Sequence, residues 1–83
     1  MEGIRVSIRC FGMFRQFGDV IDVDVNTDSS VEVIKSAIAN YLGEKYRDIV
    51  DHSVLANDSG ILPGEYIVHT PMELSILPPV CGG

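Results

Sequence analysis

The stretch Met72-Glu73-Leu74-Ser75-Ile76-Leu77-Pro78-Pro79-Val80-Cys81-Gly82-Gly83 decides the fold, because a strand pattern in it turns abruptly into a tail pattern. Met72, Leu74 and Ile76 alternate with Glu73, Ser75 and Leu77, the period of a strand with one face in a core and the other outside. Pro78 and Pro79 cannot donate to a ladder, so they stop the strand and stiffen the chain beyond it. Gly82 and Gly83 carry no Cβ and make a slim, reachable end. The pattern divides the chain into a folded domain over residues 1–77 and a flexible C-terminal tail over residues 78–83, which the domain presents.

Such a strand needs partners and a cover, and the upstream sequence supplies both. Ile4-Arg5-Val6-Ser7-Ile8-Arg9-Cys10 alternates strictly, with Ile4, Val6, Ile8 and Cys10 on the core side, where a free thiol behaves as a small hydrophobe. Val20 to Val25 alternates again; Ile21, Val23 and Val25 face inward, and Asp22 and Asp24 face out, near Arg5 and Arg9 if the two strands pair antiparallel. Between them, Phe11, Met13, Phe14 and Phe17 are spaced for one or two helical turns closed by Gly18, with the aromatic rings divided between core and an exposed patch. Ser29-Ser30-Val31-Glu32 reads as a capping box in which Ser29 caps and Glu32 reaches back. A helix then starts at about Ser30, with Val31, Ile34, Ala37, Ile38, Tyr41 and Leu42 on one face and Gly43 just past its end. Residues 44–52 suggest a short helical turn, Ser53-Val54-Leu55-Ala56 a short strand, and Ile61-Leu62 and Tyr66-Ile67-Val68 further strand fragments. Strand, strand, helix, short strands, strand is the order of an α+β domain. A right-handed crossover places the last strand parallel to the first, in the middle of the sheet.

Composition limits what such a domain can do. With 83 residues, 46% of them apolar, the chain is one self-folding domain. No apolar run approaches the roughly 20 residues of a membrane span, and Met1-Glu2-Gly3-Ile4-Arg5 lacks a basic-then-apolar leader, so a cytoplasmic location with no membrane partner is expected. The two cysteines, Cys10 and Cys81, make neither a disulfide framework nor a CxxC metal motif, and no metal site is expected. Twelve acids against six bases give a net charge of −6. That sign opposes phosphate binding, so nucleic acid is not expected as a partner; it suits a basic docking surface or simple solubility. His52 and His69 stand alone in sequence, and no nucleophile–base or acid–base pair announces an independent enzyme.

The element order with its protruding Gly-Gly resembles the β-grasp fold of ubiquitin-like sulfur carriers, and Leu77-Pro78-Pro79-Val80-Cys81-Gly82-Gly83 looks like the ending of the molybdopterin synthase small subunit family. Ser53-Val54-Leu55-Ala56-Asn57 sits where that family has a short apolar strand leading to an Asn and a turn, and Phe14-Arg15-Gln16-Phe17-Gly18 resembles its aromatic, Arg-containing first loop. Two departures stand out: His69-Thr70-Pro71-Met72 replaces the usual Gly-Asp-containing turn, and Cys81 occupies a position where small residues are more usual.

The resemblance implies a mixed sheet of four to five strands with one main helix packed on one face and a protruding tail. It also implies a carrier that is non-catalytic alone and binds no cofactor. An E1-like adenylating enzyme would use ATP to convert the Gly83 carboxylate to an acyl-adenylate, and sulfur would replace AMP to leave a thiocarboxylate. The molybdopterin synthase large subunit would then receive the tail, and the sulfur would pass to a pterin precursor in molybdenum or tungsten cofactor biosynthesis. A ubiquitin-like protein modifier, or a carrier for tRNA thiolation or thiazole synthesis, is the alternative. Gly83 is the reactive position, and Leu77, Pro78, Pro79, Val80, Cys81 and Gly82 are the partner-binding residues. Cys81 keeps two readings, an idle tail thiol or a nucleophile beside the activated carboxylate.

Overall fold

The two alternating runs at the start of the chain form the hairpin that their pattern demands. The computed structural model describes residues 3–79. In it β1 (Gly3–Cys10) and β2 (Val20–Asn26) pair antiparallel, with Val6 opposite Val23 and Ile8 opposite Ile21. Ile4, Val6, Ile8, Cys10, Ile21, Val23 and Val25 are all buried, as the alternation requires. Arg5 pairs with Asp24 at 3.1 Å, but Asp22 accepts from the Ser7 hydroxyl at 2.7 Å. Arg9 pairs instead with Glu73 at 3.4 Å, because the register puts apolar Val20 opposite it on β2. The segment between the strands is a 3₁₀ helix, Gly12–Phe17, that drives Phe14 into the core and ends at Gly18 with φ 125°. Phe17 is half-buried, and Phe11 is left exposed.

The helix cap differs from the expected capping box by one residue. Ser29 is drawn into a two-residue strand, β3 (Ser29–Ser30), which pairs with Ile67 and Val68, and its hydroxyl donates to the Asn26 carbonyl at 2.6 Å. The cap of α1 (Val31–Leu42) is therefore Ser30, whose hydroxyl accepts from the Val33 N–H at 3.2 Å. Glu32 does not reach back. The loop over residues 63–66 supplies further acceptors at the helix start: the Val31 N–H donates to the Tyr66 carbonyl (2.9 Å) and the Glu32 N–H to the Gly64 carbonyl (3.1 Å). Three donors at the helix start are satisfied, two of them by residues far along the chain.

The buried stripe of α1 is Val31, Ile34, Ile38 and Ala39, so Tyr41, expected inside, is outside, and Ala39 takes its place. Tyr41 lies on the flank of the stripe and overhangs β2. After Gly43 (φ 118°), a 3₁₀ turn, Glu44–Tyr46, leads into α2 (Arg47–Asp51), which packs on α1 and buries Val50. Ser53 is buried, and its hydroxyl is satisfied by the Ile49 carbonyl at 2.6 Å.

The remaining strands are β4 (Val54–Asn57), β5 (Gly60–Leu62), β6 (Ile67–Val68) and β7 (Met72–Leu77). The β4–β5 turn uses the Asn57 side chain as acceptor for the Ser59 N–H (2.8 Å) and Gly60 at φ 133°. β6 pairs with β3. The main sheet has five strands in the order β2-β1-β7-β4-β5. β7 runs parallel to β1 and antiparallel to β4, so the last strand is central, as the crossover argument predicts. Leu74 and Ile76 are buried under α1's side of the sheet, and Leu77 falls on the opposite face across from Val54.

Candidate docking face and tail base

The site is assembled where β7 leaves the sheet. Cys10 lies opposite Ile76 and Val54 opposite Leu77, so the strand exits between the end of β1 and the start of β4. Pro78 then seats on Gly12. A Cβ on Gly12 would meet Pro78 Cγ at 2.7 Å, and Gly12 has φ 59°, so only glycine fits both the backbone and the contact. Pro79 joins Lys45, Asp48, Ile49 and His52 around a largely apolar cleft of about 450 Å³ beside α2. Both prolines are half-buried, Pro78 against Gly12 and Pro79 at the cleft beside α2.

The face of the sheet away from α1 is the natural platform beside this exit. The register aligns Val20, Arg9, Ser75, Ala56 and Ile61 in one row across all five strands. Val54 and Leu77 lie in the next row, towards the exit. Ile61 is 66% exposed and Phe11 40%, and Val20 and Val54 are also open to solvent. Around these apolar groups stand the ion pairs Arg9–Glu73 and Arg15–Asp19 (3.8 Å). Arg9, Phe11, Arg15 and Val20 also border a cleft of about 270 Å³. Apolar side chains ringed by exposed charges are the ordinary anatomy of a protein–protein contact.

Of the expected site residues, Leu77, Pro78 and Pro79 are brought together at this exit; Val80, Cys81, Gly82 and Gly83 lie outside the described residues. Sequence reasoning missed Gly12 as the seat of Pro78, and missed Val54 and Ile61 as the apolar part of the platform. For the latter the signal was present: in Val54-Leu55-Ala56 and Ile61-Leu62 one neighbour of each pair must face away from the core. Cys10, in contrast, is structural. Burial pushes its thiol above the ordinary value of 9.0, with nearby Asp19 adding to the rise and a hydrogen bond from the Ile21 backbone opposing it. His52 is exposed at the end of α2, and His69 Nδ1 lies 2.5 Å from Asp28 Oδ1, joining the turn before β3 to the turn before β7.

A five-stranded mixed sheet with a parallel central pair, crossed by one main helix, defines a ubiquitin-like β-grasp domain. Solved structures share it along almost the whole chain. SAMP1 from Haloferax volcanii superposes with a TM-score of 0.76 at 18% identity, covering 95% of this chain and 99% of that one. A Pyrococcus furiosus protein described as a molybdopterin converting factor, subunit 1, gives 0.77 at 18%, covering 93% and 99%. The ubiquitin-like domain of Dsk2 from Plasmodium falciparum gives 0.67 at 19%, covering 93% and 99%. No family model and no curated protein sequence matches the chain. Likeness at these identities establishes the fold.

Proposed function

We propose that this protein is a sulfur carrier whose C-terminal Gly83 is activated by a partner enzyme and loaded with sulfur. The observation that carries the reading is the exit of the central strand: β7 leaves the sheet through Pro78 and Pro79, beside an exposed apolar platform, toward Gly82-Gly83. The same fold in SAMP1 and in a molybdopterin converting factor subunit supports it.

A carboxylate is a poor electrophile until one oxygen becomes a good leaving group. In the proposed cycle the Gly83 carboxylate attacks the α-phosphate of ATP and pyrophosphate departs. A persulfide then attacks the acyl carbon, AMP leaves, and a thiol cleaves the acyl disulfide to release the thiocarboxylate. The partner supplies the catalytic groups and excludes water from the adenylate. This chain supplies the acyl group, a tail thin enough to enter an enclosed site, and the platform of Phe11, Val54, Ile61 and Leu77 that selects the partner. Delivery to a molybdopterin synthase large subunit is the proposed destination, with Leu77 to Gly82 lying along the receiving groove.

Deleting Gly83 tests the reading. Charging by an adenylating enzyme and a sulfur donor should vanish while the thermal unfolding transition is unchanged, because the last strand of the sheet ends at Leu77. Charging that survives the deletion would refute the role of Gly83. Conjugates to cellular lysines that survive denaturing gels would instead favour a protein modifier.

A further inference from the structure

β2 is the outermost strand on its side of the described sheet. The Cys10 N–H donates to the Asp19 carbonyl at 2.9 Å, which sets the phase of the β1–β2 ladder. In that phase Ile21, Val23 and Val25 exchange hydrogen bonds with β1, and the main-chain groups of Val20, Asp22 and Asp24 point away from it along the free edge. An edge of this kind is a template for one more strand. The opposite edge, β5, is only three residues long.

A groove runs beside this edge. Two clefts of about 450 and 490 Å³ lie between β2 and α1, and both share Asp24, Ala37 and Asn40. Val33, 51% exposed, lines one; Tyr41, 61% exposed, lines the other. Val33, Ala37 and Tyr41 recur every fourth residue, a step of about 6 Å along the helix. Inward side chains of an added strand recur every two residues, a step of roughly 6.6–6.8 Å. One cleft sets Val33 with Val25 and Asn26 and the other sets Tyr41 with Asp22 and Val23, so α1 follows β2 along the groove and successive inward side chains can meet Val33, Ala37 and Tyr41.

Charge selects the occupant. Asp22 and Asp24 stand on the outer face of β2, and only Asp24 has a cation, Arg5, paired with it among the described residues; Asp22 is held by the neutral Ser7 hydroxyl. The residues that alternate outward on an added strand lie beside this row, where Lys or Arg is favourable. A second copy of the chain is disfavoured at the same edge, because antiparallel β2–β2 pairing centred on Val23 sets Asp22 against Asp24 of the other copy.

We propose that the β2–α1 groove receives, by strand addition, an extended segment of another protein with apolar residues at alternate positions toward α1 and Lys or Arg between them. The groove uses neither Leu77 nor the tail prolines, so the inference stands apart from the sulfur-carrier reading.

The test titrates the full ¹⁵N-labelled chain with an alternating valine–lysine peptide. The controls are a peptide of the same composition with the two residues in separate blocks, and an alternating valine–glutamate peptide. At saturation with the valine–lysine peptide the Asp22 and Asp24 amides should exchange at least about tenfold more slowly, as they acquire hydrogen-bond acceptors. Tyr41→Ala and Asp22→Lys, both at exposed positions, should each weaken binding about tenfold while leaving the unfolding transition in place. Any of four results overturns the proposal: unchanged exchange at Asp22 and Asp24 at saturation, protection at Gly60–Leu62 instead, equal binding of the block or glutamate peptide, or self-association of the chain through β2 in the peptide's absence.

Discussion

Replacing Gly12 by alanine probes how the tail is anchored. The new Cβ would lie 2.7 Å from Pro78 Cγ and 3.4 Å from Pro78 Cδ, where carbon atoms prefer roughly 3.5–4.0 Å. The backbone adds its own cost, since φ 59° is the left-handed region, worth about 1–2 kcal/mol to a residue with a Cβ. Overpacking against the ring contributes about 1 kcal/mol or more. Gly12→Ala should therefore destabilise the domain by about 2–3 kcal/mol, and at roughly 4–8 °C per kcal/mol the melting point should fall by about 8–24 °C. Pro78→Ala separates the two costs, because it removes Cγ and Cδ and leaves Pro78 Cβ at 3.9 Å, an ordinary contact. In that background Gly12→Ala should cost only the conformational part, about 1–2 kcal/mol, giving a coupling of about 1 kcal/mol in a double-mutant cycle read by urea unfolding. Equal costs in the two backgrounds would refute the seating of Pro78 on Gly12.

Ser30→Ala should cost about 1 kcal/mol by removing the cap of α1, whereas Glu32→Ala, which removes the side-chain acceptor a capping box needs, should change stability by less than about 0.5 kcal/mol; denaturant curves distinguish the observed cap from the capping box read in the sequence. Cys10 makes stability pH-dependent. Its pKa is raised in the folded state, so its contribution is complete below the ordinary thiol value of 9.0 and is lost as pH rises through the higher folded value. Unfolding free energy should fall in that alkaline range, and Cys10→Ala should flatten that part of the profile. On the platform, Ile61→Asp should leave the melting temperature within a few degrees, since Ile61 is exposed, yet lower kcat/KM for charging by the adenylating enzyme about tenfold or more.

Local periodicity made the sheet legible. Ile4 to Cys10, Ile21 to Val25 and Met72 to Leu77 declare their core faces by period two, and the central place of β7 is set by chain order and handedness. The features hidden in the sequence depend on residues far apart. The cap moved from Ser29 to Ser30 because Val68 claims Ser29 for a strand, and the Glu32 N–H goes to the Gly64 carbonyl rather than to a Ser29 cap. The buried face of α1 departs from its periodicity at Tyr41 and Ala39, since three-dimensional neighbours, β2 on one flank and α2 on another, decide which positions are covered. Arg9 chose Glu73 over the acids of β2 because of register, which alternation alone does not set. At the site, Pro78 and Pro79 announced a stiff exit, but the glycine that receives Pro78 lies near the opposite end of the chain and carries no local mark of that duty.

The sulfur-carrier reading meets its most direct test in the intact mass of the protein after incubation with a competent adenylating enzyme, ATP and a sulfur donor. Exchange of one carboxylate oxygen for sulfur predicts a gain of about 16 Da, lost when Gly83 is deleted. An unchanged mass, with the same enzyme shown to charge another carrier, would contradict it.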